Sequence, residues 1–239
     1  KTTILGVQDT QSASLNISGR SGGLFGGNAS RSESSASSTT VETQLKAGGS
    51  LSVTSAGNIV AAGADLSAGK NASLNSTGGD IVLGTLQDTT SSSSSSRSSG
   101  LFKSKSSEDS SASLTNRGVS ITSGADLSLA GTNITAVASD LNAGKNASIT
   151  ATENVIFGTA DDAEASSTEG MSTSFSGINK STTKTTVGST TAVGTTLNAG
   201  ENITVTAGGD VGLIGATVEA KKDITLDVTG DLAIAAARD

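Results

Sequence analysis

The sequence predicts an all-β chain wound into a parallel β-helix, a solenoid. Three observations point there: side chains too small for a large globular core, short apolar–polar alternations between glycine turns, and repetition at two periods. Hydrophobic residues make up 33 % of the 239, and aromatics 2 %, with four Phe and neither Trp nor Tyr. Ordinary domains draw much of their buried area from large side chains, so Ala, Val, Ile and Leu alone need narrow, closely stacked layers. Thirty Gly among abundant Ser and Thr read as disorder or as many turns, and the regular spacing decides for turns.

The shorter period lies in three regular blocks, residues 47 to 85, 123 to 159 and 198 to 236. Segments such as Leu51-Ser52-Val53, Ala72-Ser73-Leu74, Ile203-Thr204-Val205 and Ile224-Thr225-Leu226 alternate apolar and polar residues, as half-buried strands do. Ala-Gly, Gly-Asn, Gly-Asp and Gly-Lys turns separate them, and Asn58 to Gly78 or Asn202 to Asp223 spans 20 or 21 residues. Such a step is about one coil, in which each strand stacks on its equivalent in the next. Neighbouring coils at roughly 4.8 Å cover one another, so one small apolar residue per inward position suffices. Parallel crossovers prefer the right hand, which sets the expected handedness.

The longer period is 77 residues, the separation of Gly23-Leu24, Gly100-Leu101 and Gly177-Ile178. Ile4-Leu5-Gly6, Val82-Leu83-Gly84 and Ile156-Phe157-Gly158 each precede an acidic residue, at Asp9, Asp88 and Asp161-Asp162. Between the blocks lie three polar inserts, approximately 7–45, 86–118 and 160–196. The middle one holds 14 Ser between positions 91 and 113, and Leu101 stands 13 residues from both Asp88 and Leu114. A glycine-containing turn between equal arms is the pattern of a hairpin. Arms of about 13 to 15 residues reach roughly 40 to 50 Å, so the expectation is three protruding Ser-rich β-hairpins on one side of the shaft, paired or leaning on one another, with disordered linkers as the alternative that composition alone would give. Isolated, they would be marginal.

Absence of Cys removes disulfides, and absence of Pro leaves every backbone N–H able to join a ladder. The net charge of −7 argues against nucleic acid or an anionic membrane as main partner. No apolar run approaches the roughly 20 residues of a membrane span. Lys1 opens directly into a repeat. Residues 1–239 are therefore expected to be one internal, monomeric β-helix segment of a much larger protein.

Together, the apolar-Gly-x-x-Asp starts, the Ser-rich inserts with Gly-Leu-Phe tips and blocks such as Asn198-Ala-Gly-Glu-Asn-Ile-Thr-Val resemble the haemagglutinin repeats of filamentous haemagglutinin-like exoproteins of two-partner secretion systems. That group includes contact-dependent growth inhibition effectors. The resemblance implies a right-handed β-helix, export by an outer-membrane transporter partner, display on a Gram-negative cell surface, and adhesion or toxin delivery involving a host or target-cell receptor or outer membrane.

No cofactor, metal or catalytic site is expected. The rival is a polysaccharide-binding or polysaccharide-degrading β-helix, but His, Trp and Tyr are absent. The acid pairs Glu108-Asp109 and Asp161-Asp162 read as solvated loop residues rather than as the two carboxylates of a glycosidase. Gly78-Gly79-Asp80 and Gly208-Gly209-Asp210 look like half of a calcium repeat without its nine-residue period, and read as stacked turns. Lys70, Lys145 and Lys221-Lys222 recur at equivalent turns as solvated charges. The candidate partner contacts are the apolar residues at the insert tips, Leu24, Phe25, Leu101, Phe102 and Ile178. The alternative for Phe25 and Phe102 is a small satellite core against a neighbouring hairpin.

Overall fold

The computed structural model describes residues 1–21, 26–174 and 179–238. In one coil the chain runs through Thr43–Ala47, Leu51–Ser55 and Ile59–Ala62, then repeats the circuit as Ala64–Ala68, Ala72–Ser76 and Ile81–Gly84. Each strand pairs in parallel with its equivalent: Thr43 with Ala64, Leu51 with Ala72, Ile59 with Ile81. Among the described residues this builds three parallel sheets, two of six strands and one of seven.

Alternation along each strand puts every second residue inside, and the register stacks like on like. Leu45, Leu66, Ile121, Leu141, Leu197 and Val218 form one column. Val53, Leu74, Leu129, Ile149, Val205 and Leu226 form a second. The third column varies in volume, with Ala61 under Leu83 and Ala136 under a fully buried Phe157. Small and large side chains alternate there, so Phe157, the one core aromatic among the described residues, fits at close-packed density.

Polar columns hold the corners. Immediately before one set of strands stand Asn58, Asp80, Asn133, Asn154, Asp210 and Asp231. The backbone N–H of each from Asp80 onward donates to the side-chain oxygen of the one before, at 2.8–3.2 Å. A second column, Asn71, Asp126, Asn146, Asn202 and Asp223, repeats the bond at 3.3–3.4 Å. Asn133, Asn154, Asn146 and Asn202 add a second bond from the side-chain amide to the same oxygen, at 2.9–3.0 Å. These bonds satisfy donors that the turns would otherwise leave without partners. At the corner of this second column Gly69, Gly124, Gly144 and Gly200 are required, because a Cβ on any of them would run into the carbonyl of the glycine one coil away.

Every second coil the chain leaves the shaft. It exits through Val7–Arg20, Leu86–Gly100 and Ala160–Ser174, returns through Asn28–Val41, Lys103–Arg117 and Asn179–Val193, and resumes the parallel circuit at Thr43, Val119 and Thr196. Where no excursion occurs, the same corner turns tightly at Gly63, Ala138 and Gly215, whose φ angles are 53°, 45° and 57°. The six excursion strands form one antiparallel sheet, the blade, with Val7–Arg20 and Asn179–Val193 at its edges.

Candidate interaction surface: the blade from base to tip

At its base the blade is pinned by carboxylates. Asp88, third residue of its outgoing strand, accepts from the Thr40 backbone N–H of the preceding hairpin at 2.6 Å and from Arg117 Nε at 2.8 Å. Asp162, third in its own strand, accepts from the Asn116 N–H at 2.7 Å and from the Asn116 amide at 3.1 Å. Partial burial by itself would raise the Asp88 carboxyl. The hydrogen bonds from Arg117 and Thr40 outweigh it and hold the group below the usual carboxylate range. The Arg117 guanidinium is correspondingly raised by its bond to Asp88. Asp9 occupies the same place in the first hairpin and is exposed. In the sequence these acids stood out only as landmarks of the repeat. Their common position three residues into each excursion was the available signal, and the backbone donors that Asp88 and Asp162 meet lie in the preceding hairpin.

The middle of the blade is built from small hydroxyl residues that bond across strands, as between Ser34 and Ser93 at 2.7 Å, Thr90 and Ser113 at 2.6 Å, and Ser92 and Ser111 at 2.8 Å. Shallow grooves cross it, one lined by Ser12, Ala36, Ser91, Ala112, Ala165 and Gly188. Those residues form a single row across all six strands. Such a row offers two hydroxyls, Ser12 and Ser91, among small side chains, and no charge.

Towards the tip the character changes. Residues 16–32, 96–107 and 170–183 carry six cations, Arg20, Arg31, Arg97, Lys103, Lys105 and Lys180, and no acid. Arg31 pairs with Glu33, whereas Arg97, Lys103, Lys105 and Lys180 have no recorded ion pair among the described residues. At the apex of the middle hairpin Leu101 and Phe102 are 55 % and 56 % exposed. Of the other tip residues singled out by sequence, Leu24, Phe25 and Ile178 lie outside the described residues.

In the shaft turns the acidic side chains are tied to neighbouring coils. The carboxylates of Asp80 and Asp210 accept hydrogen bonds from the next coil, and among the described residues no three metal-ligating side chains converge. Lys222 pairs with Glu201 one coil below at 2.7 Å, and this bond holds the Glu201 carboxyl below its ordinary range.

The hemagglutinin repeat family matches residues 6–100 and 93–239. No curated protein and no solved structure matches the chain. The family is a structural, adhesin-type one, and its two matches together run from the first tight excursion to the last coil. With the family matched over nearly the whole chain, the chain belongs to the hemagglutinin repeat family of filamentous haemagglutinin-like proteins.

Proposed function

We propose that residues 1–239 are one segment of a longer, right-handed β-helical shaft, exported through an outer-membrane transporter partner and displayed on the surface of a Gram-negative cell. The shaft is a rigid spacer and the blade its contact edge, presenting the hairpin tips to a target cell for adhesion or for toxin delivery. The carrying observation is that all three excursions leave the same corner and join one sheet. Regular insertion on one side is what a shaft with a docking edge needs. Family membership supports the adhesin role, and the exposure of Leu101 and Phe102 at the apex supports the tip as the contact.

The test is association of the purified 239-residue chain with candidate target cells, comparing it with the Leu101→Ser/Phe102→Ser double variant. The expected result is a loss of association with an unchanged β-sheet circular dichroism spectrum and melting temperature. Equal association by folded variant and parent would remove the tips from the contact.

A further inference from the structure

The net charge of −7 hides a segregation that only the folded blade reveals. The six distal cations come from three segments some 77 residues apart in sequence, and cross-strand pairing gathers them at one rim. Adjacent hairpins are two strands apart, about 10 Å, which matches the screening length of about 10 Å at 0.1 M salt. At that spacing the cations act as one patch. The nearest acid on the middle hairpin, Glu108, lies three residues back from Lys105 and five from Lys103, roughly 10 and 17 Å along the strand, and two residues behind the row of Arg97.

The two faces share the charge equally. Arg20 and Lys180 stand in one cross-strand row, and Arg97, two residues back along its strand from Ser99 of that row, shares its face. Lys103, Lys105 and Arg31 are offset by an odd number of residues, so they fall on the other face. A linear polyanion held in a groove needs cations converging on one face. Cations on both faces of a thin sheet, with an exposed Leu-Phe pair at the apex between them, suit a plane met edge-on. Lipid headgroups with phosphates provide such a plane, and the acyl boundary beneath takes up apolar side chains.

We infer that the blade rim docks edge-on to an anionic, phosphate-bearing lipid surface, with Arg97, Lys103 and Lys105 supplying headgroup contacts and Leu101 and Phe102 entering the interface. This names the partner class for the tip contact proposed above and rests on that reading.

The test is co-sedimentation of the intact 239-residue chain with vesicles of phosphatidylglycerol in phosphatidylcholine. The Arg97→Ser/Lys103→Ser/Lys105→Ser variant runs beside a shaft control, Lys70→Ser/Lys145→Ser/Lys221→Ser, which removes the same charge from exposed turns. The parent and the shaft control are expected to bind, both more weakly in 0.5 M salt. The rim variant should bind on the order of a hundredfold more weakly, from about fivefold per cation lost. Failure of the parent to bind, equal binding by parent and rim variant, or equal loss in the shaft control each overturns the inference. So does capture of soluble polyphosphate without vesicle binding. Association with cells that persists in any of these cases leaves the tip contact standing with a different partner.

Discussion

At the scale of single residues, stability is governed by what fits between coils about 4.8 Å apart. Gly48 and Gly144 occupy equivalent corners, yet a Cβ on Gly48 meets nothing within 4 Å, whereas one on Gly144 overlaps the Gly124 carbonyl. Gly144→Ala is therefore expected to destabilise by about 1–3 kcal/mol and Gly48→Ala to be near neutral, as read from urea midpoints. Ala138 presents the opposite case, a residue with a Cβ at φ 45° where its counterparts Gly63 and Gly215 are glycine. Relief of left-handed strain is worth about 1–2 kcal/mol, and the extra freedom of an unfolded glycine takes back about 0.5–1 kcal/mol. Ala138→Gly should thus stabilise by roughly 0.5–1 kcal/mol in the same measurement, and a loss of stability would show that the corner needs the methyl group. Phe157, fully buried and stacked on Ala136, is the core position most costly to empty. Phe157→Ala should cost about 3–5 kcal/mol.

At the scale of elements, the question is why long serine-rich arms hold together with so little to bury. Hydroxyl bonds across strands contribute modestly, and each hairpin alone would be marginal. The carboxylate pins add a directional bond between hairpins at the base, where Asp88 meets Thr40 and Arg117. Because Arg117 is half exposed and solvent screens the pair, the pin is worth about 1 kcal/mol. The folded carboxyl titrates below its unfolded value, so this contribution is complete above the ordinary carboxylate range. It is lost as pH falls through the lowered value. The hydrogen-exchange protection factor of the Thr40 amide, measured against the intrinsic rate at each pH, should fall below that range in the parent protein. In Asp88→Asn the protection factor should be low already at neutral pH and respond little to acid. Full protection in the variant would mean that strand pairing alone holds the base.

At the scale of the whole molecule, the two sheet systems are commensurate. Two coils rise about 10 Å along the shaft, and one hairpin supplies two strands that occupy the same rise. One hairpin per two coils therefore lets the blade run unbroken beside the shaft, whereas one per coil would crowd it. Deleting residues 119–138, a single coil, joins Gly118 to Ser139 and leaves the second and third hairpins one coil apart. The shaft strands should still stack, since Asp140 already pairs in the place of Ser120. The blade should lose order, seen as rapid proteolysis within 86–117 and 160–193 while the shaft resists. Resistance of both hairpins would show that the blade does not depend on shaft spacing.

Much of the shaft was legible in the chain itself. Alternation at Leu51-Ser52-Val53 and Ile203-Thr204-Val205, steps of 20 or 21 residues and glycine or asparagine corners are local facts, and local facts determine parallel coils that stack on their equivalents. The tip residues Leu101 and Phe102 were likewise visible as apolar side chains in a polar setting. What only the tertiary structure decided are the relations between distant segments: Asp88 against Thr40, Asp162 against Asn116, and the union of Arg20, Arg97, Lys105 and Lys180 at one rim. A net charge sums over the sequence without regard to place, and a hydrogen bond across 46 or 48 residues leaves no periodic trace. The physical reason is that inward positions are set by period alone. The partners along the blade depend on which hairpins two coils of shaft bring side by side.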